Sequence, residues 1–406
     1  MAGTIIPQKN GKYKLSFMKH RQRYYKTVSA SSEKEAQDLL DKFIKFIDKT
    51  VDINIELCTF EDFCNIYFKD YAPILLAEEC IYNYYRTLTN WVLPKIGSTT
   101  LANCTTDFFV KYFKWLSNQI SPVTNKPLAI GSREKIFGII SSVFSCAAQW
   151  RIIKKNPLPG ARPDDFKRKR TSKTSRVTER CLTLEESKTL IKALNDVDLK
   201  YQLITHLALI GGLRRSEILG IKWSDVDFQN RCIHITQSSI YVPKKGYVVG
   251  NLKNEKSERT ISIPRVTVIL LLDYKMQTAN TDNNFVFVND KGRRKGLRLN
   301  PTSVTAWFKR FRKSINLPDE VPLHGLRHTN ATLLISQGIN VKSVSSRLGH
   351  SSTSITLDTY AHVLTAVDKV AGETLEKILL KRKQKLKIRK KILRKEEILQ
   401  SPLSNA

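Results

Sequence analysis

The chain has 406 residues, which is room for two or three domains, and its 41% apolar content is that of a globular protein able to form real cores. Lys plus Arg number 68 against 37 Asp plus Glu, a formal net charge of +31 that far exceeds what solubility requires and points to a polyanion, with nucleic acid as the default. The excess is spread along the whole chain, which argues against a membrane-surface anchor, and no apolar run approaches transmembrane length.

The seven cysteines form no CxxC, and no histidines sit at zinc spacing. Their odd number and the absence of an opening secretory signal fit reduced thiols in the cytoplasm.

Residues 1–50 read as a small sheet-plus-helix unit. Tyr13, Leu15 and Phe17 alternate along a strand, and Arg21 to Val28 reads as its hairpin partner. Ser32 and Glu35 have capping-box spacing ahead of a helix with Ala36, Leu39, Leu40, Phe43 and Ile47 as its buried stripe. The strands carry Lys12, Lys14, Arg21, Arg23 and Lys26. A solvated sheet face would look the same, yet a basic β-ribbon also fits the major groove of DNA.

Residues 57–157 read as an all-helical unit. Helices are expected after Thr59, over Glu78 to Trp91, after Thr106, and over Ile130 to Trp150. The stretch 158–178 contains Lys167-Arg168-Lys169-Arg170 and reads as a basic linker. Residues 179–377 mix helices with short strands at Cys232 to Thr236, Tyr247 to Leu252 and Thr260 to Ile263. Beyond them, 378–406 is a strongly basic tail with too few apolar positions for a stable coiled coil.

The third unit carries the chemistry. His324 and Arg327 are three apart at a helix start, so both leave one face. Leu348-Gly349-His350 follows, with Tyr360 ten residues after His350. Arginine and imidazole neutralise and hydrogen-bond the oxygens of a phosphodiester, and a tyrosine can be the nucleophile. Arg214 and Glu217 are also three apart, so the acid can hold the guanidinium.

His-Gly-Leu-Arg-His, Leu-Gly-His-Ser and Thr-Leu-Asp-Thr-Tyr-Ala-His, in this order, resemble the catalytic C-terminus of the tyrosine recombinase (phage integrase) family. Gly-Leu-Arg followed by Glu217 resembles its first arginine motif, and the spacing favours Arg214 over Arg215. Leu-Lys-Asn before Ser-x-Arg-Thr-Ile resembles its lysine motif, with Lys253 as the assignment and Lys256 as the rival. The N-terminal unit resembles the arm-binding domain of lambda-type and conjugative-transposon integrases.

The resemblance implies a multidomain fold, mainly α with small β-sheets. An N-terminal β-sheet-plus-helix arm-binding domain would precede a helical core-binding domain and a mixed α+β catalytic domain. It implies a site-specific recombinase that integrates or excises a mobile element or prophage through a 3′-phosphotyrosyl link, without cofactor, metal or ATP. Tyr360 would attack, Arg214, Arg327 and His350 would stabilise the transition state, and Lys253 would protonate the leaving oxygen. His324 would take the tyrosine proton or orient the phosphate, and Glu217 would support. The implied partners are double-stranded DNA at arm-type and core sites, a homotetramer on that DNA, an excision factor and a host DNA-bending protein, all in a bacterial cytoplasm. A type IB topoisomerase would use the same chemistry for relaxation, and a basic DNA-packaging protein would explain the charge alone.

Overall fold

The computed structural model describes residues 3–122, 124–164, 181–243, 245–251, 257–278, 284–289, 295–350, 352–354, 356–357, 375 and 378–379. The chain divides into two compact units, Met1–Thr174 and Ser175–Ala406.

In the first unit, β1 (Thr4–Gln8), β2 (Lys12–Lys19) and β3 (Gln22–Ser29) form an antiparallel meander. Leu15 lies opposite Lys26, and Phe17 opposite Tyr24, so Leu15, Phe17, Tyr24 and Val28 share the buried face. Helix α1 (Glu33–Thr50) covers it. The Ser32 hydroxyl accepts from the Glu35 backbone N–H, while the Glu35 carboxylate turns back to Ser31, one residue short of a closed capping box.

Six α-helices follow among the described residues of this unit. They are α2 (Phe60–Ile66), α3 (Ala72–Leu75), α4 (Glu78–Trp91), α5 (Leu93–Ile96), α6 (Thr106–Ser117) and α7 (Ile130–Gln149). Thr59 and Asp62 close the capping box of α2, and a π-helical turn at Tyr67–Tyr71 joins α2 to α3. Sheet, α1 and these helices share one apolar core. The reason is that α1 also packs on aromatic side chains of this helical region: the Phe46 ring lies 4.6 Å from that of Tyr71, and the Phe43 ring 5.3 Å from that of Trp150. Lys49 pairs with the buried Asp70, and Lys26 Nζ donates to the Tyr71 hydroxyl at 3.0 Å.

The second unit is built on α8 (Leu184–Ala193), α9 (Leu199–Leu209) and α10 (Arg215–Ile218). A three-stranded sheet of β4 (Val226–Asp227), β5 (Cys232–Ile235) and β8 (Arg259–Ser262) follows, with a separate ribbon of β6 (Gln237–Val242) and β7 (Gly246–Asn251). Then come α11 (Arg265–Gln277), α12 (Pro301–Ser314), α13 (Gly325–Ser336) and α14 (Val341–Leu348). Thr183 and Glu186 form a full capping box at the start of α8. Helix α9 is buried almost all round and packs on α11 and α13. The strands expected at 247–252 and 260–263 belong to different sheets, because β7 pairs with β6 and β8 with β5. The two strands are therefore not partners of one hairpin, and Lys253 and Lys256 between them lie outside the described residues. Among the described residues, no helix is long and apolar enough to cross a membrane.

The shared core predicts that the N-terminal sheet and the helices behind it lose stability together. Phe46→Ala should cost about 3–5 kcal/mol. Hydrogen exchange on the full chain should show faster exchange in β2 and α7 alike. Faster exchange in residues 3–50 alone would contradict the shared core.

Candidate active site

The centre of the second unit is Glu217, on α10 and 2% exposed. Helix α9 ends and Gly212 turns the chain with φ +67°. A Cβ there would lie 2.8 Å from both Asn330 Oδ1 and Leu348 Cδ2, so the turn requires glycine. Arg214 is then the residue before α10, three before Glu217. Its guanidinium donates to Glu217 Oε1 at 2.6 Å, and its backbone N–H donates to Oε2 at 2.9 Å.

Two more arginines converge on the same carboxylate. Arg259, the first residue of β8, donates to Glu217 Oε2 at 2.8 Å and to Oε1 at 3.3 Å. It also donates to the Arg347 carbonyl at 2.7 Å and to the Ser257 carbonyl at 3.1 Å. Arg327, on α13 and 2% exposed, lies 3.9 Å from Glu217 Oε2 and donates to the carbonyls of Gly212 (2.8 Å) and Leu348 (2.6 Å). Burial is the largest single influence on the Glu217 carboxyl and pushes its pKa up. The Arg259 hydrogen bond and charge, with those of Arg214, outweigh it and hold the group below the usual carboxylate range.

Helix α14 delivers His350. Gly349 ends the helix in the left-handed conformation, φ +66°, and its Cα faces the Arg259 guanidinium so closely that a Cβ would lie 2.7 Å from Nη1. Arg214 donates to the Gly349 carbonyl at 3.3 Å. His350 Nδ1 lies 2.8 Å from the hydroxyl of the buried Thr356. Burial, followed by the charges of Arg327 and Arg214, lowers the His350 pKa to about 4, so the ring is neutral near pH 7. In the tautomer whose Nδ1 accepts from Thr356, Nε2 carries the proton and can donate to an oxyanion.

The structure thus brings together Arg214, Glu217, Arg327 and His350. Arg215 turns away to the Thr305 hydroxyl on α12, at 2.6 Å. His324 precedes α13, is exposed, and has its ring 5.2 Å from that of His328. Lys253, Lys256 and Tyr360 lie outside the described residues, as do Lys167 to Arg170 and the tail from 380 onward. Sequence reasoning passed over Arg259, although it is the Arg of the Ser-x-Arg stretch, and His328, whose charge bears on His350.

The N-terminal residues separate into groups. Lys12, Lys14 and Arg23 lie on the outer sheet face, where Lys14 Nζ sits 4.7 Å from the centre of the Tyr25 ring. Arg21 is at the exposed β2–β3 turn with φ 62°. Lys26 is on the inner face against Tyr71, and burial lowers its pKa.

Residues 180–366 match the phage integrase family, and residues 59–117 match the N-terminal SAM-like domain of phage integrases. A tyrosine recombinase described as XerC-like, from Caldanaerobacter subterraneus subsp. tengcongensis, is 28% identical over 65% of this chain and 71% of its own. The ICEBs1 integrase of Bacillus subtilis is 24% identical over 70% of this chain and 83% of its own. The integrase of transposon Tn1549, solved in complex with transposon right-end DNA, superposes with a TM-score of 0.63 at 20% identity, over 78% of this chain and 99% of that one. At that identity the likeness is one of fold. The two family matches together span more than half of the chain, and the protein belongs to the phage integrase family, the tyrosine recombinases.

Proposed function

We propose that this chain cleaves and rejoins double-stranded DNA at specific sites through a tyrosyl intermediate, and so integrates or excises a mobile element. The enzyme is a tyrosine-type recombinase. The observation that carries the reading is the pair Arg214 and Arg327 on one buried carboxylate, with His350 close enough to feel both charges. Such a cluster is positioned before substrate arrives, so little reorganisation is needed as charge builds on the phosphate.

In the proposed step, the Tyr360 oxygen forms a bond to phosphorus while the bond from phosphorus to the 5′-oxygen breaks. Lys253 gives its proton to that oxygen, and His324 takes the tyrosine proton or orients the phosphate. Arg214 and Arg327 neutralise the non-bridging oxygens, and His350 donates through Nε2. Glu217 touches no reacting atom and acts by positioning the arginines. The phosphotyrosyl link conserves the bond energy, so a 5′-hydroxyl of a partner duplex can attack it without ATP. Exchange of both strand pairs calls for a homotetramer on two duplexes.

Lys12, Lys14 and Arg23 form the arm-binding face, with Arg21 at its tip. Lys26, turned toward Tyr71, serves packing. A type IB topoisomerase would have no use for this basic face. We place the enzyme on DNA in the bacterial cytoplasm, with an excision factor and a DNA-bending protein as accessory partners.

Tyr360→Phe should abolish the denaturant-resistant DNA adduct and leave DNA binding near wild type, and the wild-type adduct should form in EDTA. An adduct that persists in the variant would move the nucleophile elsewhere, and strict dependence on magnesium would reject the scheme.

Arg214→Ala and Arg327→Ala should each slow single-turnover cleavage by on the order of 10²-fold or more. Arg215→Ala, whose guanidinium is turned to Thr305 on α12, should stay near wild type. The reverse ranking of Arg214 and Arg215 would overturn the site as drawn.

A further inference from the structure

Away from the Glu217 cluster, the sheet of β4, β5 and β8 carries a second group of chemically apt side chains. Val226 pairs with Ile233, and Asp227 with Cys232. Val226, Ile233, Ile235 and Ile261 are buried. Strand alternation therefore turns Asp227, Cys232 and His234 to the opposite face. One carboxylate oxygen, the thiol sulfur and one imidazole nitrogen all lie within 4.8 Å of one another.

Two of the three side chains are held in place. Asn230 donates to both oxygens of Asp227, from its backbone N–H at 2.8 Å and its amide at 2.7 Å. The Thr260 hydroxyl lies 2.9 Å from His234 Nδ1, which leaves Nε2 for an ion. Outer hydrogen bonds of this kind orient the ligands of protein metal sites.

The geometry points to a zinc site made of Asp227, Cys232 and His234, with water as the fourth ligand. Thiolate, imidazole and carboxylate together suit Zn²⁺ better than Mg²⁺ or Ca²⁺, which prefer oxygen alone. Zinc ligands sit roughly 2.0–2.3 Å from the ion, so modest side-chain rotations close the triangle. Binding releases the Cys232 proton to solvent as the thiolate forms. The site lies outside the proposed chemistry and has a structural role. It clips the β4–β5 turn and, through Thr260, stiffens the strand that begins at Arg259.

The test uses the full-length protein stripped of metal and titrated with Co²⁺ as a spectroscopic probe, then with Zn²⁺ by calorimetry. One ion should bind per chain, with a sulfur-to-cobalt charge-transfer band, and Zn²⁺ should displace it. Cys232→Ser should abolish the band, and His234→Gln and Asp227→Asn should each weaken Zn²⁺ binding by at least about tenfold. All three side chains face outward, so the variants should keep the wild-type circular dichroism. No saturable binding by the folded wild-type protein would overturn the proposal, as would an unchanged band in Cys232→Ser.

Discussion

A carboxylate with almost no exposed surface sits among three guanidinium groups, and the second unit is arranged so that it can. An unpaired carboxylate at that depth would be costly, so Glu217 needs its arginines as much as they need it. Each arginine arrives on a different element: Arg214 ahead of α10, Arg259 on β8 and Arg327 on α13. Arg259 then reaches on to the Arg347 carbonyl, which fixes the end of α14 and hence the start of the His350 segment. At Gly212 and Gly349, both with positive φ, the backbone gives way so that these groups can meet. Removing one partner of such a buried pair typically costs about 3–5 kcal/mol. A network of this kind fixes donor directions in advance, which catalysis of charge build-up on a phosphate requires.

Much of this site was legible in the sequence because its parts are local. Arg214 and Glu217 are three apart, and the expectation that the acid holds the guanidinium is what the structure shows. Arg327 and His350 stand in short motifs with helix signals around them. What the sequence could not reveal was depth. Arg259 looks like any surface residue among many lysines and arginines, and its burial follows only from β8 passing beneath α14. The direction of Arg215 depends on α12, which is distant in sequence. The partner of β7 was not read as a strand, because β6 opens on the polar run Gln237-Ser238-Ser239 ahead of Ile240-Tyr241-Val242.

The N-terminal unit repeats the lesson. Strands β2 and β3 and the helix followed from alternation and a capping serine, whereas β1 was not read. The register that places Lys26 opposite Leu15, and so on the inner face, is a pairing fact that no single strand contains. Phe46 lies outside the stripe that faces the sheet, and it carries α1 into the helices behind. The basic outer face is thereby presented on a broad packed base and not on an isolated hairpin.

The central claim is that Glu217 and Arg259 act as one device that positions Arg214. The most direct measurement is a double-mutant cycle on single-turnover formation of the covalent DNA adduct, with Glu217→Gln, Arg259→Ala and the pair. The account predicts that each single variant slows adduct formation while DNA affinity stays near wild type, and that the double variant is little slower than the worse single one. A wild-type rate in Glu217→Gln, or losses that multiply fully in the double variant, would contradict it.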